Sequence, residues 1–204
     1  MLPEDARNHS WIAVREWDAA FLLPRKAASS SIKRAIRRGI GHPNIPPDML
    51  DYVSRGEAAG FTNRIGVCRH PLTRLASCYA DKFHLRAHKT FLPDFAALGF
   101  RQEMTFAQFV ERVCRIPDEQ ALGDGNHFRS QIVDLCHGGK FMPTRLCRFE
   151  SLAEDWREIR RLFPLPKLHH LRRSDHSVAN WTERTRRMAV ERYRHDFEVF
   201  GYAC

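Results

Sequence analysis

Three short segments read as strands, an apolar run over residues 19–23 (Ala-Ala-Phe-Leu-Leu) and two more mixed stretches over 63–68 (Asn-Arg-Ile-Gly-Val-Cys) and 145–149 (Arg-Leu-Cys-Arg-Phe). Each leads through a turn into a stretch with helical spacing of its apolar residues. That alternation predicts buried strands interleaved with helices, hence an α/β fold with a small parallel sheet flanked by helices. Thr105-Phe106-Ala107-Gln108 and Ser151-Leu152-Ala153-Glu154 fit the capping-box pattern, so helices are expected to begin there. The first carries Phe106, Phe109, Val110 and Val113 on one face, and the second Leu152, Trp156, Ile159 and Leu162. Core packing accounts for both stripes. Asn180 and Glu183 are candidate caps for a last helix through about Phe197. Residues 41–62, with Pro43, Pro46 and Pro47, read as a loop with a short helix around Met49 to Gly56.

No internal repeat or low-complexity segment breaks the 204 residues, and the length fits one domain over residues 1–204, with 1–18 as an N-terminal extension or edge segment. In such a fold ligands bind at the carboxyl ends of the strands. Two strand ends there carry distinctive chemistry.

The first is Phe21-Leu22-Leu23-Pro24-Arg25-Lys26-Ala27-Ala28-Ser29-Ser30-Ser31-Ile32. A strand delivers a loop, and the helix behind it directs backbone N–H groups and the positive end of its dipole at whatever sits there. Lys26 adds a mobile cation and the serines add short donors. The loop is P-loop-like but lacks the glycines and the Lys-Ser/Thr pair of a nucleotide P-loop, and Lys-x-x-Ser-Ser-Ser suits one 5′-phosphate and its attached group better than a wrapped triphosphate. Read alone, it fits equally a solvated lysine followed by a serine cap. The second is Arg64-Ile65-Gly66-Val67-Cys68-Arg69-His70-Pro71-Leu72-Thr73-Arg74-Leu75-Ala76-Ser77-Cys78-Tyr79. Pro71 suits a first helical turn, which puts Arg69 at the strand tip and Arg74 and Ser77 on one helix face. Two such tips suggest a ligand with two separated anions.

These residues resemble the sulfotransferases that use 3′-phosphoadenosine 5′-phosphosulfate (PAPS), in particular the carbohydrate type related to the chondroitin and HNK-1 enzymes. Pro24 to Ser31 is similar to that family's 5′-phosphosulfate loop, and Arg69-His70-Pro71 with Arg74, Ser77 and Tyr79 to its 3′-phosphate segment. Further similarity lies at Asn126-His127-Phe128-Arg129-Ser130-Gln131, at Cys147-Arg148-Phe149-Glu150-Ser151-Leu152, and at Tyr193 with Asp196-Phe197-Glu198-Val199-Phe200-Gly201-Tyr202. The resemblance implies transfer of a sulfuryl group from PAPS to a hydroxyl, most readily of a carbohydrate, by in-line displacement and without a metal. It places Lys26 at the leaving oxygen, with Arg25 as the rival one residue earlier. It gives Ala27, Ala28, Ser29, Ser30 and Ser31 to the 5′-phosphate, and Arg69 and Ser77 to the 3′-phosphate. Arg74 either joins that site or pairs with an acidic residue. His127 falls where the family has a substrate-side histidine and is the expected base; Glu150 and Asp124 are alternatives. Arg129 and Gln131 are expected to position the acceptor or orient the loop, and Arg172 and Arg173 to close over the nucleotide. Two departures are chemically visible. Ala28 replaces a glycine, so a left-handed backbone there is strained, and His70 replaces an aspartate.

Charge is compatible with this reading: 33 Lys and Arg against 24 Asp and Glu give a formal +9, which suits a polyanionic donor and an acidic acceptor. Nucleic-acid binding is disfavoured by the absence of a zinc-ligand pattern, an RNP-like strand or a homeodomain-like helix. The six cysteines form no C-x-x-C pair and suggest no metal site; relatives carry disulfides, and Cys136 with Cys147 is the pair to examine. The N-terminal residues lack a signal-like apolar core, so a cytoplasmic enzyme is expected, with peripheral membrane contact left open. The alternatives are a sulfotransferase of lipid or small-molecule alcohols, a P-loop-like nucleotide-dependent kinase, and an inactive basic binding module.

Overall fold

The computed structural model describes residues 11–85, 93–169 and 178–204. In chain order its elements are β1 (Trp11–Val14), β2 (Ala19–Leu22), α1 (Ser29–Gly39), α2 (Arg55–Ala59), β3 (Asn63–Cys68), α3 (Pro71–Tyr79), α4 (Pro93–Ala97), α5 (Phe106–Cys114), α6 (Gln131–Leu135), β4 (Cys136–His137), β5 (Lys140–Phe141), β6 (Arg145–Arg148), α7 (Leu152–Leu162), α8 (Glu183–Arg192) and α9 (Arg194–Phe200). They gather into two compact units, one from residues 1–68 and 134–172, the other from residues 69–133 and 173–204.

The first unit holds a four-stranded sheet in the order β1-β2-β3-β6. β2, β3 and β6 run parallel, in the register Phe21↔Ile65 and Ile65↔Arg145, and β1 is an antiparallel edge strand with Trp11 opposite Leu22. The segment before Ala19 is therefore an edge strand where it is described. Phe21, Ile65 and Val67 meet Ile32 and Ile36 of α1 and Trp156 and Ile159 of α7 in one buried cluster. Such burial on a central parallel sheet is why β2 reads as a continuous apolar run. On the opposite face Gly66 lies so close to the Pro143 ring that a Cβ there would stand 2.6 Å from Pro143 Cγ. β4 and β5 form a separate hairpin joined by Gly138 and Gly139, with φ of +54° and +72°. Positive φ at both central positions gives the turn whose twist matches paired strands.

The second unit is helical. Phe106, Phe109, Val110 and Val113 of α5 are all buried as expected, with Leu72, Leu75, Phe95, Phe100, Phe128, Tyr193 and Phe197. The Phe83 and Phe109 rings lie 4.9 Å apart and tilted, within the range aromatic pairs prefer. Tyr79 packs in the same cluster, stacked on Phe83 and donating its hydroxyl to the Met104 carbonyl at 2.9 Å.

Several local expectations are corrected. The helix expected around Met49 to Gly56 is instead a 3-10 turn at Pro47–Met49 and α2 at Arg55–Ala59. Ser54 and Glu57 cap each other reciprocally and fix the later start, while Tyr52 bridges to Ile12 of β1. The Thr105–Gln108 capping box forms, but Ser151 does not cap α7. Asp155 takes the Ser151 hydroxyl at 3.1 Å and the Arg148 N–H at 2.7 Å, so the serine is drawn away from the helix N–H groups. The cap of α8 is Thr182, paired with Thr185, in place of Asn180 or Glu183. The final helix breaks at Tyr193 and ends at Phe200, where Gly201 takes a left-handed φ of +63°. Leu162 is 47% exposed and stands outside the core stripe of α7.

Candidate active site

In the first unit the loop after β2 closes as a turn, the Ala27 N–H donating to the Pro24 carbonyl at 3.3 Å. Lys26 and Ala28 both adopt left-handed backbone, with φ of +68° and +59°. The strain expected at Ala28 is therefore present, and Lys26 shares it without having signalled it in sequence. Left-handed backbone costs a residue with a Cβ roughly 1–2 kcal/mol, and such strain persists where the surroundings fix it. α1 then begins at Ser29, and the N–H groups of Ser31 and Ile32 bond to the Ala28 carbonyl at 3.0 and 3.1 Å. The N–H groups ahead of that turn lie outside the helix ladder, and no acidic residue sits in the first turn to offset the dipole. Ala27 is buried, Lys26 and Ser29 are half-buried, and Arg25 and Ser30 are exposed.

One turn further, Lys33 reaches back along α1 and places Nζ 5.1 Å from the centre of the Tyr52 ring. Tyr52 is pinned by its hydroxyl, which donates to the Pro47 carbonyl at 2.8 Å. Burial, reinforced by the Arg25 cation, pulls the Lys33 ammonium down to about 8. Burial also raises Tyr52 above the usual phenol range, against the opposing pull of Arg25.

Beside the loop, a cavity of about 450 Å³ is bordered by Ala28 and Ser31 and walled by Phe149, Leu152, Trp156 and Leu168. Arg157, Arg160, Lys167, Glu150 and His169 supply its polar rim. Trp156 Nε1 donates to the Pro166 carbonyl at 3.0 Å and Arg160 Nε to the Leu165 carbonyl at 2.9 Å, so the 165–166 backbone is tied to α7 beneath the rim. Two of these walls, Leu152 and Trp156, come from the stripe whose helical spacing had suggested core packing alone. Trp156 does both jobs.

In the second unit Arg69 follows the last residue of β3, and 6% of its surface is exposed. Its Nε donates to Thr73 Oγ1 at 3.2 Å, and Thr73 in turn donates to the His70 carbonyl at 3.0 Å. α3 starts at Pro71 as expected, with Arg74 and Ser77 buried along it. His70 gives α3 no side-chain cap. Its ring instead lies edge-on to Phe197 and Tyr202, with centroids 5.3 and 5.2 Å away, and Nε2 is 3.3 Å from the Ala203 carbonyl.

The segment from Asn126 to Ile132 is fastened by buried side chains. Arg74 donates to the Arg129 and Asn126 carbonyls, and the Tyr193 hydroxyl donates to the Phe128 carbonyl at 2.5 Å. Asp118 accepts the Ser130 N–H at 2.9 Å and pairs with Arg192 at 2.5 Å. Burial alone would raise the Asp118 carboxyl, but the Arg192 guanidinium outweighs it and holds the group below its ordinary range. His127 sits in this frame 7% exposed, its ring 6.4 Å from that of Phe95. Asn126, 6% exposed, turns a buried Oδ1 that has no hydrogen-bond partner among the described residues. At the start of the segment Gly123 has a φ of +54°, and a Cβ there would collide with the Asp94 carboxylate.

Gln131 and Arg74 both find partners within the chain. Gln131 is fully buried, and its amide faces the Arg69 backbone: Oε1 accepts the Arg69 N–H at 2.9 Å and Nε2 donates to the Arg69 carbonyl at 2.8 Å. That amide is turned to the chain and not to an acceptor. Arg74 donates to two backbone carbonyls, and its charge also acts on the buried Asp196 carboxylate, lowering it against the effect of burial. Arg129, at 2% exposed, contributes its carbonyl to that arrangement. Arg172 and Arg173 lie outside the described residues. All six cysteines are free thiols, Cys136 and Cys147 included. Burial pushes the Cys147 thiol up to about 12. Among the described residues no group of three or more His, Cys, Asp or Glu side chains gathers as a metal site, and no helix is long and apolar enough to cross a membrane.

The Sulfotransferase family is matched over residues 25–203, from the first residue of the strained turn through the C-terminal helices. No curated protein and no solved structure matches the chain. Coverage of that extent means that the chain belongs to the sulfotransferase family and is a sulfuryl-transferring enzyme.

Proposed function

We propose that the sulfuryl donor is PAPS and that the acceptor is a carbohydrate hydroxyl. The observation that carries the donor is the cavity of about 450 Å³ that opens beside Ala28 and Ser31, at the start of α1. A helix N-terminus with hydroxyls suits a phosphate, and the neighbouring apolar walls of Phe149, Leu152 and Trp156 suit a nucleobase and its ribose. A triphosphate fits less well. The loop has no glycine to wrap it, and its two left-handed positions are taken by Lys26 and Ala28.

When bound, the donor supplies an activated sulfuryl group on a 5′-phosphate. In the proposed roles Ser29, Ser30, Ser31 and the N–H groups at the start of α1 hold that phosphate, and Arg69 and Ser77 take the 3′-phosphate. His127 accepts the proton of the attacking hydroxyl as the new oxygen–sulfur bond forms. The bond between sulfur and the bridging oxygen breaks with its electron pair on the 5′-phosphate, where Lys26 meets the growing charge. The products are a sulfate ester and adenosine 3′,5′-bisphosphate. Asn126 Oδ1, buried next to His127 in sequence, offers an acceptor for a hydroxyl hydrogen. The carbohydrate class rests on the similarity of the loop and strand-tip motifs to the chondroitin and HNK-1 enzymes, and on the net positive charge.

The test is transfer of ³⁵S from labelled PAPS to a panel of neutral and acidic oligosaccharides, lipids and phenols, with Lys26→Ala and His127→Ala beside the native enzyme. Label in the saccharide fraction that disappears in both variants is expected. Label confined to lipids or phenols overturns the carbohydrate assignment.

A further inference from the structure

Gln131 and Asp196 lie in a buried hydrogen-bond chain that ends on Arg69. Asp196 of α9 is fully buried. Its Oδ2 accepts the Gln131 N–H at 2.9 Å and Gln131 Nε2 at 3.3 Å, and its Oδ1 accepts the Ile132 N–H at 2.9 Å. The Gln131 amide, held in this way, forms a two-point ring with the N–H and carbonyl of Arg69 at 2.9 and 2.8 Å. A side-chain amide that both donates to and accepts from one residue fixes that residue's backbone orientation, as a strand neighbour would. Thr73 then fixes Nε of the same arginine. Arg69 is thereby held through its backbone N–H, its carbonyl and its Nε, which restricts the rotamers open to its guanidinium. Burial drives the Asp196 carboxyl upward, against the lowering effect of the Gln131 and Ile132 N–H groups, so the carboxylate is costly and its retention calls for a role.

We propose that Gln131 and Asp196 are positioning residues that set Arg69 to select the 3′-phosphate of the donor nucleotide. The inference rests on the donor reading above. It gives the C-terminal segment around Asp196, which contributes no group to the chemistry, a part in donor selection. Of the two roles the sequence suggested for Gln131, it favours orienting the chain over positioning the acceptor.

The test is the ratio of dissociation constants for adenosine 5′-monophosphate and adenosine 3′,5′-bisphosphate, measured by calorimetry on the full chain. In the native protein the bisphosphate is preferred. Gln131→Met keeps the volume, leaves Asp196 bonded to two backbone N–H groups, and removes the ring with Arg69. It is expected to shrink the preference by about tenfold or more, with monophosphate affinity within about threefold of native, since that ligand is held elsewhere. Asp196→Asn removes the charge with the shape retained, is expected to shrink the ratio in the same direction, and decides the matter if Gln131→Met does not fold. A folded variant with the native ratio overturns the inference and leaves the donor reading standing. A native protein without any preference for the bisphosphate contradicts the donor reading itself, and the inference with it.

Discussion

Arg74 donates Nη1 to the carbonyl oxygen of Arg129 at 2.7 Å, and its Nη2 reaches the carbonyl of Asn126 at 3.2 Å. One buried guanidinium thus staples two points three residues apart, on either side of His127 and Phe128. Carbonyls that face the interior need such donors, because an unmet buried acceptor costs about 1–3 kcal/mol. Arg74→Met should therefore lower the unfolding free energy by about 3–5 kcal/mol, the range for breaking a buried charged network. Arg74→Lys should recover part of the loss. Denaturant unfolding of both variants measures this, and a change under about 0.5 kcal/mol for Arg74→Met would show that the staple is dispensable.

The left-handed Ala28 yields a stabilising substitution. Glycine reaches a φ of +59° at no steric cost, and the relief should outweigh its greater freedom in the unfolded chain. Ala28→Gly is expected to raise stability by about 0.5–1 kcal/mol, seen as a higher melting temperature. A lower melting temperature would mean that the turn does not adopt this backbone in solution.

Lys33 gives a pH signature. Its folded value near 8 lies below the ordinary lysine value of 10.5, so between about pH 8 and 10.5 the unfolded chain binds more protons than the folded one. Stability then rises with pH across that window, and the penalty of the buried ammonium is fully present below it. Lys33→Met should accordingly stabilise the protein at pH 7, by about 1 kcal/mol once the lost Tyr52 contact is deducted. The gain should shrink as pH climbs past 8. Thermal melts of both proteins from pH 6.5 to 9.5 test this, and a gain that grows with pH contradicts the assignment.

Filling the cavity separates nucleoside recognition from phosphate binding. Ala153 is exposed at the cavity border, so Ala153→Trp should occupy the space at little cost in stability. Affinity for adenosine 3′,5′-bisphosphate should fall at least about tenfold, as expected for losing most of the burial of a base, while inorganic pyrophosphate, used as a base-free probe, binds as before. Undiminished bisphosphate affinity would place the base elsewhere.

Much of this was legible in the chain. The segments at 19–23, 63–68 and 145–149 became β2, β3 and β6 almost residue for residue; β2 is apolar and buried throughout, as an inner strand of a parallel sheet demands, whereas the edge strand β6 exposes Arg145 and Arg148. Thr105 and Pro71 marked their helix starts for the local reasons that any helix terminus obeys. The hairpin at Cys136–Phe141 was not anticipated, although its Gly138-Gly139 pair is a standard two-residue turn signal. What sequence did not disclose was direction. Nothing in the residue type says whether Gln131 turns its amide to a ligand or to the Arg69 backbone, whether Ser151 or Asp155 wins the backbone donors near α7, or that Trp156 serves a core and a cavity at once. The first and last of these are decided by residues further along the chain, Asp196 for Gln131 and Leu168 for the cavity wall, while Asp155 wins from within the first turn of α7. Thr73, which fixes the Arg69 side chain, went unnoticed because a threonine inside a helix carries no signal of its own.

Calorimetric titration with adenosine 3′,5′-bisphosphate, against ATP with Mg²⁺, tests the central claim most directly when run on the native protein, Lys26→Ala and Arg69→Ala. The account predicts saturable binding of the bisphosphate in preference to ATP, weakened at least about tenfold by loss of Arg69 and less by loss of Lys26, whose main work comes as the bond to sulfur breaks. Absence of bisphosphate binding, or a preference for ATP with Mg²⁺, would contradict it.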